Sequence, residues 1–107
     1  KAKLYDSLED VSEADIEYIV GVIAKYKEIK KAVIFGSRAK GNYKAGSDID
    51  IAIYGDDITF DTVSSLHSLL EDESPLPYLF DIVDYTHLDH KELREHIDRV
   101  GIIIYER

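Results

Sequence analysis

From Asp48 to Ile51 polar and apolar residues alternate, and isoleucine keeps every second place through Ile53: Asp48-Ile49-Asp50-Ile51-Ala52-Ile53-Tyr54. Strand side chains alternate between faces, so Ile49, Ile51 and Ile53 share one face and Asp48 and Asp50 share the other. Other periods flank this strand. After Ser12, a good N-cap followed by Glu13 and Asp15, the residues Ile16, Ile19, Val20, Ile23 and Tyr26 fall at helical spacing and predict a core-packing helix ending near Lys27. Lys31 to Phe35 is short and nearly all apolar and reads as a strand buried on both faces, with a short helical turn expected from Ser37 to about Lys40. Phe60, Val63, Leu66, His67 and Leu70 form a second helical stripe, capped by Asp57 or Thr59 and closed by Glu71-Asp72-Glu73-Ser74-Pro75. Tyr78 to Tyr85 reads as a third strand. A third helix follows from an Asp89-x-x-Glu92 capping pattern to about Val100, with Leu93, His96 or Ile97, and Val100 inward and Gly101 at its end. Ile102 to Tyr105 predicts a terminal strand.

The order helix, strand, strand, helix, strand, helix, strand predicts an α/β (α+β) fold. It has a small mixed β-sheet of about four strands, with helices packed mainly on one face. With 107 residues the chain suits one domain with one core over residues 1–107, of which 1–11 show no clear period and read as a loose arm. Hydrophobic content of 45% beside 33% charged residues argues against disorder. No apolar run approaches the roughly 20 residues of a membrane span, and no secretory leader is visible. There is no cysteine, which excludes a disulfide framework and a thiolate metal site. These features together predict a cytoplasmic protein. The net charge of -9 weighs against long nucleic acid as partner, because affinity for a phosphate backbone rests on counterion release by cations.

The candidate chemistry lies between the first two strands. Asp48 and Asp50 place two like charges side by side, an arrangement relieved by a cation and suited to an oxygen-ligated divalent metal, most simply Mg²⁺. Gly36 permits close backbone approach, and free N–H groups at the Gly36-Ser37 turn attract phosphate. Arg38, Lys40 and Lys44 make a local basic loop in an acidic chain. A third carboxylate follows from parity. If Phe80 and Ile82 join the isoleucines in the core, Asp81 lies on the face of Asp48 and Asp50, whereas Asp84 has the opposite parity and suits a strand-end cap; parity alone keeps Asp84 as the alternative. His87, His90 and His96 lack the i, i+4 spacing of a metal pair and suit surface or capping roles.

Gly36-Ser37, ten residues, then Asp48-Ile49-Asp50 resembles the signature of the DNA polymerase β-like nucleotidyltransferase superfamily. The chain looks like its smallest branch, the minimal nucleotidyltransferase (MNT) domains. The resemblance implies the polymerase β-like fold and catalysis by two Mg²⁺ ions. Asp48 and Asp50 would bridge both metals, and Asp81 would hold the one that activates the acceptor hydroxyl. It also implies ATP or another NTP as substrate, with Gly36 and Ser37 at the β- and γ-phosphates and Arg38 and Lys40 adding charge. Minimal domains of this kind pair with a helical HEPN toxin and act as antitoxin by moving AMP to one of its tyrosines. The expectation is therefore a protein adenylyltransferase with a HEPN-type partner. The alternatives are a small-molecule nucleotidyltransferase working as a homodimer and a non-catalytic partner-binding module.

Overall fold

In the computed structural model the described residues are 12–38, 47–76 and 78–107. The loose arm expected at 1–11 and the loop from 39 to 46 lie outside them. Three helices, α1 (Glu13–Ile23), α2 (Phe60–Glu71) and α3 (Lys91–Val100), combine with four strands, β1 (Lys31–Arg38), β2 (Ser47–Tyr54), β3 (Tyr78–Asp84) and β4 (Ile102–Glu106). The sheet order is β3-β2-β1-β4. Strand β1 pairs antiparallel with both β2 and β4, whereas β2 and β3 run parallel. The parallel pair follows from the connection, since α2 crosses from the end of β2 back to the start of β3.

The alternation of β2 decides the layers. Ile49, Ile51 and Ile53 are fully buried beneath α1 and α2, in a cluster with Ile16, Ile19, Ile23, Ile34, Leu66 and Leu70. The opposite face carries α3, which seals Val33 and Ala52 with Ile97. Two of the three helices thus share one face, and α3 covers only part of the other. At its base Tyr54 stacks on Tyr85 at 4.4 Å, and the Tyr85 hydroxyl donates to Asp98 at 2.6 Å. Burial, with the charge of Asp98 nearby, pushes the Tyr54 phenol up to about 12, so it stays a neutral packing group.

Several boundaries differ from the pattern-based reading, each for a local reason. Helix α1 begins at its Ser12 cap but ends at Ile23, because Lys25 and Tyr26 donate to the carbonyls of Val22 and Ile23 in a tighter turn. Thr59, not Asp57, caps α2, in a reciprocal capping box with Thr62. Phe60 leaves the apolar stripe: it sits in the first turn and is 81% exposed, and the buried positions are Thr62, Leu66 and Leu70. The cap of α3 is His90, whose Nδ1 accepts from the Leu93 N–H at 3.1 Å, in place of Asp89. Ile97 is the buried residue of α3, while His96 and Val100 are exposed.

Candidate active site

The short helical turn expected from Ser37 to about Lys40 does not begin at Ser37, and Lys40 lies outside the described residues. Strand β1 continues through Gly36 and Ser37 to Arg38, pairing Ser37 with Ile49 and Arg38 with Asp48. A bulge lets it do so. The register jumps between Ile34, which faces Ile51, and Gly36, which faces Asp50, leaving Phe35 as the extra residue. The bulge therefore seats Gly36 directly beside Asp50. A Cβ on Gly36 would stand 2.5 Å from Oδ2 of Asp50 and 3.3 Å from its Cγ. The glycine is needed because the carboxylate of the neighbouring strand occupies that space. Since the obstructing atoms are the tip of a side chain, Gly36→Ala is expected to fold and to turn the Asp50 carboxylate aside. A melting curve close to wild type, with nucleotidyl transfer lowered about tenfold or more, is the expected pair of readings. Undiminished transfer in that variant would show that Asp50 need not lie there.

Strand β3 brings in the third carboxylate by register. Asp50 and Asp81 are direct partners across the parallel pair, and Asp48 stands opposite Leu79. Neighbouring strands lie about 4.8 Å apart, so Asp81 stands beside Asp50 on the same face as Asp48. Asp48 and Asp81 are exposed and Asp50 is half-buried. This end of the face lies beyond the part covered by α3, and its other described residues include Leu79, half exposed. Asp84 has the opposite parity. Its carboxylate accepts from the His87 main chain at 3.3 Å and pairs with His87 Nδ1 at 2.8 Å, closing the turn after β3. The side chains of Ser37 and Arg38, and all of Lys40 and Lys44, lie outside the described residues.

The donor set is three carboxylates and nothing softer, which fits a hard divalent cation such as Mg²⁺. Among the described residues no three acidic or histidine side chains close into a metal-ligand cluster. The backbone places three carboxylate-bearing positions on one face, and mutual repulsion favours rotamers that hold the charges apart. Sequence pattern missed three features here: the bulge at Phe35, the part of the face that α3 covers, and a cleft of about 400 Å³ between α2 and the outer edge of β3, which Asp81 also lines.

The model of the family described as "Polymerase beta, Nucleotidyltransferase" matches residues 17–107, most of the chain and all four strands. The chain belongs to this family. The three aspartates therefore stand on a domain of the nucleotidyltransferase family, and its helices and mixed sheet are those of the polymerase β-like fold, of the minimal nucleotidyltransferase type. The domain is also similar to a protein of Methanocaldococcus jannaschii named "Putative protein adenylyltransferase", with 47% identity over 51 residues. That match covers 47% of this chain and spans half the length of the relative. Among the described residues of the nucleotidyltransferase, no helix is long and apolar enough to cross a membrane.

Proposed function

We propose that this nucleotidyltransferase moves AMP from ATP to the hydroxyl of a tyrosine on a helical HEPN-type toxin, and so acts as its antitoxin. The observation that carries the reaction is the register of Asp50 against Asp81, with Asp48 on the same open face and Gly36 clearing space for the Asp50 carboxylate. Support for a protein as acceptor comes from the name of the Methanocaldococcus jannaschii relative. The HEPN partner and the antitoxin role rest on the resemblance to minimal domains.

Asp48, Asp50 and Asp81 are the residues to hold Mg²⁺, which when bound neutralises triphosphate charge and makes the acceptor hydroxyl more acidic. The acceptor oxygen forms a bond to the α-phosphorus, the bond from that phosphorus to the bridging oxygen breaks, and pyrophosphate leaves. The hydroxyl proton passes to a carboxylate at the site, the role assigned to the exposed Asp81, and from there to water. Asp50, half-buried beside Gly36, is held in a fixed direction and orients the phosphate. Main-chain N–H groups near Gly36 and Ser37 suit the β- and γ-phosphates.

The test is label transfer. The purified protein, Mg²⁺ and α-phosphate-labelled ATP are incubated with lysate of the source cell, beside an Asp48→Asn control. A labelled protein band missing from the control is the expected result, and peptide mapping should place the label on a tyrosine. Label appearing only in a small molecule would replace the protein acceptor by a metabolite, with a homodimer completing the pocket. No transfer from any nucleotide would end the enzymatic reading.

A further inference from the structure

The outer edge of β3 is where the catalytic face meets a groove. Among the described residues no strand lies beyond β3, and α2 runs alongside it. The cleft between them is lined by Val63, Ser64, His67 and Ser68 of α2 and by Asp81 and Ile82 of β3. The direction of the main chain is fixed by two hydrogen bonds. The Tyr85 N–H donates inward, to the Ile53 carbonyl at 2.9 Å, while the Phe80 N–H donates outward, to Glu71 Oε2 at 2.9 Å. Alternation then turns the N–H and carbonyl of Ile82 outward, on the side of the cleft. His67 Nε2 holds the same Glu71 oxygen at 3.1 Å, so the edge is stoppered at Phe80 and left open from Ile82.

We propose that this edge takes an extended peptide segment of the acceptor protein as an added strand, pairing with Ile82 and seated between β3 and α2; this rests on the protein-acceptor reading above. The occupant follows from the geometry. An outward row of main-chain donors and acceptors beside a helix is matched by another extended backbone, and alternate side chains of that backbone fall into the cleft. A residue level with Asp81 faces the way Asp81 faces, onto the carboxylate face. Its two neighbours face α2, against Val63 and His67. One hydroxyl residue is thus delivered to the aspartates while the flanking residues are held in the groove. Leu79, half exposed next to Asp81 on that face, offers apolar surface to an aromatic ring. Glu71, Asp72 and Glu73 stand at the end of α2, so the segment favoured is basic.

The probe is a degenerate synthetic heptapeptide pool with tyrosine fixed at its centre, titrated without nucleotide into the ¹⁵N-labelled protein. The expected result is a shift of the Ile82 and Ser68 amides. Binding should be at least about tenfold weaker for a pool N-methylated along its backbone, and for Ser64→Trp, which fills the cleft from an exposed position of α2. No shift in the wild-type protein, or equal binding by the methylated pool, overturns the proposal whether or not the Trp variant folds. Peptide binding without any AMP transfer would leave the groove standing and remove the adenylyltransferase reading. Transfer to protein that is indifferent to Ser64→Trp, in a variant with an unchanged melt, would do the reverse.

Discussion

Asp50→Asn is expected to lower nucleotidyl transfer by at least about 100-fold while leaving the melting temperature within a few degrees of wild type. Asp50 lies closest to every other part of the site: Gly36 on one side, Asp81 on the other, Asp48 two residues back on the same face. An amide in its place keeps the shape and removes the charge. Loss of one preorganised charged group at a centre where charge develops costs roughly 3 kcal/mol in the barrier, which is the stated factor. Stability moves little because the carboxylate contributes no apolar burial and the amide keeps its shape. Initial rates with labelled ATP, read beside a circular dichroism melt, decide it. Transfer within a few-fold of wild type would remove Asp50 from the site. A variant that had lost its cooperative melt would make the residue structural.

Ile51→Ala is expected to do the opposite. Ile51 is fully buried, one position from Asp50 and on the other face, within the cluster that α1 and α2 close. Truncation removes three carbons from a close-packed interior and leaves a cavity between sheet and helices, at a cost of about 2–5 kcal/mol. For a domain of this size that is a large part of the total stability, so chemical denaturation should show a much lower midpoint. Whatever fraction remains folded should retain its rate per folded molecule, since the carboxylate face is untouched. Equal midpoints for the Ala variant and the wild type would mean that the core does not rest on β2. With both outcomes, adjacent residues of one strand would separate the two properties: one face of β2 bears the candidate site, the other the core.

That division was readable in the sequence because a strand has a period of two and isoleucine and aspartate could not differ more in their cost of burial. Asp81 could be found for the same reason, through Phe80 and Ile82. Asp84, which parity alone left as the alternative, is tied to His87 in a turn. The bulge at Phe35 left no comparable trace. Gly36 is consistent with a turn, a helix start or a bulge, and only the pairing of Gly36 with Asp50 separates these. Phe60 misled because helical spacing alone cannot tell an exposed first turn from the turns that pack on the core. His90 took the cap from Asp89 by the same ambiguity, since neighbouring polar residues compete for one position. The docking of α3 is a tertiary fact: its sequence shows an amphipathic helix, and which sheet face it meets depends on the crossover made by α2 before it.

The sheet order has a consequence for synthesis on the ribosome. Strand β1 occupies an inner position, but its two neighbours emerge at very different times. Strand β2 follows it closely, whereas β4 is made last among the described elements. Until residues 102–106 leave the exit tunnel, the flank of β1 carrying Ala32, Val33 and Ile34 has no partner strand. A nascent chain with β1, β2 and β3 already assembled thus presents an apolar, unpaired edge to its surroundings, open to chaperones or to a second nascent copy. Pausing of translation before Ile102 should accordingly lower the yield of folded protein more than a pause of equal length placed within α2.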